Sequence, residues 1–341
     1  MLVKPTDNVL PIEGGSTRLT GRHIGAILMD EGKLTPSDAE QVLKRQRELG
    51  WRFGEAAIEL NLITDTDLRE ALAKQYEFPY LVTGPDGVSK ELVAAWDPFH
   101  PVVEELRAVR TQLLIRWFNP AAGRRTLVVA SPGPREGRSF IAANLAVSFS
   151  QLGQRTLLID ADFRAPRQQS IFNIPDRFGL SSVLSGRADL SVATPVAGLA
   201  GLAVLPAGPL PPNPLELLSR PQFAALLGRA QGDYDVVILD TPPATDYSDA
   251  QCITFRAGDA LLISRKDQTR VADTELVVRE LTDASGRIVG TLMNAFTTMK
   301  PRKAPREKVN TSAATSTAMV ARQAERKIRL RDSAQANSTR P

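Results

Sequence analysis

The chain has 341 residues, 43% of them hydrophobic and 23% charged, which is the balance of ordinary globular protein at a length suited to about two domains. Its net charge is +4, yet Thr298–Pro341 alone carries eleven Lys or Arg against three acidic residues, so the remainder is slightly acidic, at about −4. The lone Cys252 excludes an internal disulfide, and with only two histidines in the whole chain a zinc site is not expected. No apolar run approaches the roughly 20 residues that cross a bilayer, and the first residues, MLVKPTDNVLPIEGG, lack an apolar signal-like core.

Residues 1–15 read as a disordered leader. Residues 16–80 read as a helical tandem-repeat domain, because the text repeats at a period of 29: Gly25 pairs with Gly54, Ala39 with Leu68, Leu43 with Leu72 and Gln46 with Gln75. In each copy Gly32 or Asn61 suits a left-handed helix end, and Thr35 or Thr64 suits an N-cap, with Asp38 or Asp67 three residues on. Ala39, Val42 and Leu43, and then Leu68 and Leu72, give each copy one apolar helix face. Residues 81–99, with Gly84, Pro85, Gly87 and Pro98, read as a linker.

From residue 100 to 297 short apolar runs alternate with helical text. The runs are TLVVA (126–130), RTLLID (155–160), LAVLPA (202–207), DVVILD (235–240), DALLISR (259–265) and IVGTLMN (288–294), with helices expected over 138–152, 214–231 and 271–284. Runs of this kind are strands buried on both faces, so the expected fold class is α/β: a doubly wound parallel sheet preceded by a small all-helical domain. Residues 298–341 form a basic tail, mostly disordered, either solvated or attracted to an anionic surface.

Strand 126–130 runs into SPGPREGRSF and a helix, the setting in which backbone N–H groups and a helix N-terminus hold phosphates. Gly133, Pro134, Arg135, Glu136, Gly137, Arg138, Ser139 and Phe140 are the candidate phosphate-loop residues, with Ser139 placed to offer its hydroxyl to Mg²⁺. The usual G-x-x-x-x-G-K-[ST] text is altered, since Pro132 and Arg138 replace its first glycine and its lysine. Taken alone the segment also suits a plain strand–helix turn. Asp160 and Asp162 end a second buried strand and Asp240 a third, where a strand-end carboxylate serves either as a helix N-cap or as a holder of Mg²⁺. Three of them after such a loop point to a P-loop nucleotide site.

With these motifs the segment 100–297 resembles the bacterial tyrosine autokinases of polysaccharide export, within the wider group of P-loop ATPases that includes partition and septum-site proteins. SPGPREGRS, LLIDADFRAP and VVILDTPP resemble its phosphate loop and two acidic motifs, and GLSSVLSG, PAGPLPPNPLELL and GTLMN resemble further family text. Glu104, Arg107 and Arg110 match an E-x-x-R-x-x-R segment that implies homo-oligomeric, ring-like association; the bland reading is a salt-bridged helix face. The resemblance implies ATP and Mg²⁺ as cofactors and Asn294 against the adenine. Arg138 would lie near the phosphates, Ser139, Asp160 and Asp240 around the metal, and Asp162 would orient or deprotonate a tyrosine hydroxyl.

The repeat separately resembles the N-terminal domain of type II secretion ATPases. Together the two resemblances imply the chain-length determinant tyrosine kinases of exopolysaccharide operons, cytoplasmic proteins brought to the inner membrane by a membrane-spanning chain-length partner. Some relatives of the repeat bind cyclic di-GMP through paired Arg-Leu-Gly starts; here the starts read His23-Ile24-Gly25, with Arg22 displaced by one, and Arg52-Phe53-Gly54, and protein docking is the competing role.

Two departures matter for the chemistry. An arginine fork does not replace a lysine ammonium at a phosphate, and the tail lacks the family's tyrosine cluster, the only tyrosines being Tyr76, Tyr80, Tyr234 and Tyr247. An inactive nucleotide-sensing scaffold is therefore the alternative to a kinase. A partition ATPase acting on nucleic acid is disfavoured, because Gly133 stands where those proteins carry a second lysine.

Overall fold

The computed structural model describes residues 23–75, 81 and 87–295. The leader, Arg22, Tyr76, Tyr80 and the basic tail lie outside the described residues.

Four helices express the repeat: α1 (Ile24–Asp30), α2 (Pro36–Leu49), α3 (Phe53–Glu59) and α4 (Asp65–Gln75). Thr35 N–H donates to Asp38 Oδ2 at 2.9 Å while Asp38 N–H donates to Thr35 Oγ1 at 3.2 Å, and Thr64 and Asp67 repeat both bonds at the same lengths. Each reciprocal cap satisfies orphan helix donors and is worth about 1 kcal/mol. Gly32 (φ +69°) and Asn61 (φ +54°) take the left-handed conformation at the turns between paired helices. Leu28, Val42, Ala56 and Ala71 centre a small core. Leu43, expected on the buried face of α2, is instead 43% exposed, because Ala39 and Val42 already carry that face inward. A methyl group on Gly54 would lie 2.4 Å from the Leu68 side chain and one on Gly25 3.0 Å from the Phe53 ring, so both glycines serve close helix packing.

The remaining elements build one sheet flanked by helices. In chain order they are α5 (Val93–Trp96), α6 (Pro101–Arg116), β1 (Thr126–Ala130), α7 (Arg138–Ser150), β2 (Thr156–Asp160), α8 (Gln168–Phe172) and α9 (Leu180–Leu184). There follow β3 (Thr194–Pro195), β4 (Leu202–Leu205), α10 (Pro214–Ser219), α11 (Pro221–Asp233), β5 (Val236–Asp240), α12 (Asp249–Ala257), β6 (Asp259–Arg265), α13 (Val271–Asp283) and β7 (Arg287–Asn294). The strand order is β3-β4-β2-β5-β1-β6-β7, parallel throughout except for the short edge strand β3. Pro195 on that edge lacks an N–H, which suits an edge and blunts it.

Successive strand residues face opposite layers, and the core divides accordingly. Leu127, Val129, Leu158 and Ile238 pack with α5, α6 and α7, whereas Val128, Leu157, Ile159 and Leu239 pack with α10–α13. Each such leucine or isoleucine removed from water contributes about 1.5–3 kcal/mol.

Two expectations fail here. The helix expected over 214–231 is two helices, because Pro221 cannot donate to the preceding turn and opens α11 afresh. Over 87–99 the expected linker is packed structure: Val88, Leu92, Val93, Ala94 and Ala95 are buried, and Asn144 of α7 accepts from Ala94 N–H at 2.8 Å and donates to Glu91 O at 2.9 Å.

Candidate nucleotide and phosphoryl-transfer site

Parallel register gathers the site at the carboxyl edge of the sheet. Asp160 of β2 pairs directly with Asp240 of β5, and Asp240 is level with Val129, two residues before the loop that leaves β1. Loop 131–137 and the N-terminus of α7 therefore open beside two carboxylates, at the crevice where open α/β sheets place ligands.

The loop is held from several sides. Arg135 (φ +61°) and Gly137 (φ +99°) bend the backbone into the helix. A methyl group on Gly137 would lie 2.3 Å from Asn294 Nδ2, which donates to Glu136 O at 3.0 Å, so the end of β7 buttresses the loop. Glu136 is buried; its carboxylate accepts from Gly133 N–H at 3.0 Å and from the Thr269 hydroxyl. Ala244 and Thr245 donate their N–H groups to the Ser131 and Pro132 carbonyls at 3.0 and 3.1 Å, tying the segment after β5 to the loop. Pro134 and Arg135 are exposed, and Phe140 packs against the core.

Arg138 is turned inward and is 7% exposed. Its Nε donates to Thr241 O at 2.7 Å and its Nη1 to Gly133 O at 2.7 Å and to Ser131 Oγ. The planar fork thus reaches two carbonyls from two different nitrogens, where a lysine would offer one.

Asp240 is fully buried, and one of its oxygens, Oδ1, has no hydrogen-bond partner. Oδ2 accepts from Gln168 Nε2 at 2.8 Å. Burial pushes the Asp240 carboxyl up to about 6, against the opposing pull of the Arg138 charge and of the neighbouring Ser139 and Gln168 side chains. Asp160 is also pushed well above the usual carboxylate range, first by burial and then by the Asp240 charge. It accepts backbone N–H bonds from Asp162, Arg167 and Gln168, so it also caps the turn into α8. Asp162 Oδ1 accepts from the Arg164 and Ala165 N–H groups, both at 2.9 Å.

An orphaned, buried carboxylate oxygen beside the Ser139 hydroxyl at a helix N-terminus is a donor set that fits Mg²⁺, a cation that takes oxygen ligands and keeps several waters. Among the described residues no group of three His, Cys, Asp or Glu forms a preassembled metal cage, so such an ion needs phosphate oxygens to complete its shell. Sequence reasoning missed Gln168, which joins Asp240 to the Ser139 carbonyl, and Thr241, whose carbonyl takes Arg138. Gln168 carries no local motif, and Thr241, although inside VVILDTPP, acts through its backbone carbonyl; both roles exist only across the sheet edge.

The E-x-x-R-x-x-R residues divide. Glu104 and Arg107 pair on α6, with the Glu104 side chain 69% exposed. Arg110 points inward, and its Nη1 donates to Ser148 O at 2.8 Å and Oγ at 3.2 Å, capping the last turn of α7.

No model of a protein family matches the chain. It is 33% identical over 207 residues to the tyrosine-protein kinase YwqD of Bacillus subtilis, spanning 61% of this chain and 86% of that protein. It is also 33% identical over 202 residues to the tyrosine-protein kinase Etk of Escherichia coli, though this covers only 28% of Etk. The solved kinase domain of E. coli Etk superposes with a TM-score of 0.58 at 29% identity, covering 65% of this chain and 85% of that structure. A doubly wound sheet, a strand–loop–helix candidate phosphate site flanked by paired carboxylates, and this extent of similarity together place the chain in the family of bacterial tyrosine-protein kinases.

Proposed function

We propose that the chain transfers the γ-phosphoryl group of ATP to tyrosine and thereby regulates the polymerisation, chain length and export of an exopolysaccharide. The observation that carries the reading is the orphaned Asp240 Oδ1, buried at the mouth of the phosphate loop beside Ser139 and in register with Asp160. Loop 133–140 would take the phosphates, Ser139 and Asp240 the metal, and Asp160 its outer shell. The metal would neutralise charge on the phosphates, while Asp162 orients the acceptor hydroxyl and takes its proton. Such transfer demands positioning and charge neutralisation more than covalent chemistry, which the residue set supplies.

Among the described residues no helix is long and apolar enough to cross a membrane. Action at the inner membrane then calls for a membrane-spanning chain-length partner whose cytosolic segment recruits this chain. Self-association through the exposed Glu104–Arg107 face is part of the same reading.

The inward-turned Arg138 favours a second reading, a nucleotide-sensing scaffold that binds Mg-ATP without turnover. One experiment separates the two. The purified chain is incubated with radiolabelled ATP and Mg²⁺, alone and with the partner's cytosolic segment, beside Asp240→Asn. Phosphotyrosine that disappears in the variant supports the kinase; tight ATP binding with no label in either mixture supports the scaffold.

A further inference from the structure

Tyr247 stands on the segment that follows β5, whose residues Ala244 and Thr245 are bonded to the phosphate-loop carbonyls of Ser131 and Pro132. Its ring lies under the Arg164 guanidinium, 4.3 Å from centroid to Cζ. Arg164 is clamped by both oxygens of Asp249, at 3.0 and 3.2 Å, and its backbone N–H donates to Asp162 Oδ1 at 2.9 Å. One residue therefore ties this tyrosine to the carboxylate that would accept a phenolic proton. Tyr247 is 38% exposed, whereas Tyr234 is half-buried against the second core, and burial raises its phenol.

We propose that Tyr247 is the phosphoacceptor of this chain, a modification site built into the catalytic face; this rests on the kinase reading above. The Tyr247 Oη–phosphorus bond forms as the bond from γ-phosphorus to the β,γ-bridging oxygen breaks, ADP leaves with that electron pair, and the phenolic proton passes to Asp162. The product places a phosphate dianion beside Arg164, which is already fixed at the ring and is 30% exposed. A dianion with three acceptor oxygens competes with Asp249 for the guanidinium, so phosphorylation loosens the tie between the turn after β2 and the first turn of α12.

The full chain is incubated with Mg-ATP in the presence of a synthetic Glu/Tyr copolymer, and phosphate is mapped by mass spectrometry. Phosphate is expected on Tyr247. Tyr247→Phe, which keeps the ring under Arg164, is expected to lower incorporation into the chain at least tenfold while copolymer labelling stays within twofold. A labelled copolymer with phosphate only on Tyr76, Tyr80 or Tyr234, or a Tyr247→Phe chain labelled like the parent, overturns the assignment and leaves the kinase reading standing. No label on either chain or copolymer overturns both.

Discussion

Replacing Asp240 with asparagine is expected to stabilise the metal-free protein near neutral pH while removing its response to Mg²⁺. The carboxyl has an ordinary value of 3.8 and lies at about 6 in the folded chain, mainly through burial. Well below pH 3.8 it is protonated in folded and unfolded chains alike and costs nothing. As pH rises through about 6 the folded chain must ionise a buried group that the unfolded chain ionises freely, so stability falls. A rise of about two pH units, at about 1.4 kcal/mol each, gives a penalty of about 3 kcal/mol at about pH 8. Asparagine removes it, but leaves Arg138 without its neighbouring charge, which returns part of the gain. The net expectation is about 1–3 kcal/mol of added stability at about pH 8, a rise of several degrees in Tm, shrinking toward zero near pH 4. The assay is urea unfolding of both proteins across this pH range with chelator, repeated with excess Mg-ADP. Ligand at a hundred times its Kd should stabilise the parent by about 2.7 kcal/mol and the variant far less. A variant destabilised equally at all pH values would refute the account of Asp240 as a strained, metal-ready carboxylate.

Arg138→Lys keeps the charge but offers one nitrogen where Thr241 O and Gly133 O now take two, so ligand-free stability should fall by about 1–2 kcal/mol in urea unfolding. A methyl group at Gly179 would lie 2.2 Å from Pro206 O and 2.5 Å from Gly208 N, backbone atoms with little room to yield. Gly179→Ala should therefore cost about 2–4 kcal/mol, and an unchanged unfolding midpoint would contradict that contact. Arg110→Ala should cost about 1–3 kcal/mol by stripping the donor from the end of α7, whereas Arg107→Ala should leave stability within about 0.5 kcal/mol and shift sedimentation toward smaller species.

Elements whose signal is local were legible from residue order. The caps at Thr35 and Thr64 lie where the 29-residue repeat puts them, and β6 spans Asp259–Arg265 as expected, because burial on both faces demands an unbroken apolar run. Fainter signals misled. Leu43 fits the helical period yet faces out, since α2 buries only a narrow stripe. The Gly- and Pro-bearing segment before α6 has loop composition, yet over 87–99 it is packed structure, its Ala94 bonded to Asn144, fifty residues away. Asp160 and Asp240 were identifiable from their strand ends and Asp162 from the motif that follows β2, but not their different hydrogen-bond surroundings.

By itself the sequence determined the α/β pattern, the loop at 131–139 and the family, because strand runs, turn residues and motif spacing act over a few neighbours. Tertiary structure alone decided that Arg138 turns inward, that Gln168 and Thr241 join the site, that Arg110 caps α7, and that Tyr247 rests under Arg164. These are contacts between parallel strand ends or packed layers. They depend on sheet register and on which buried charge each neighbour must offset, and neither is written in any local stretch of residues.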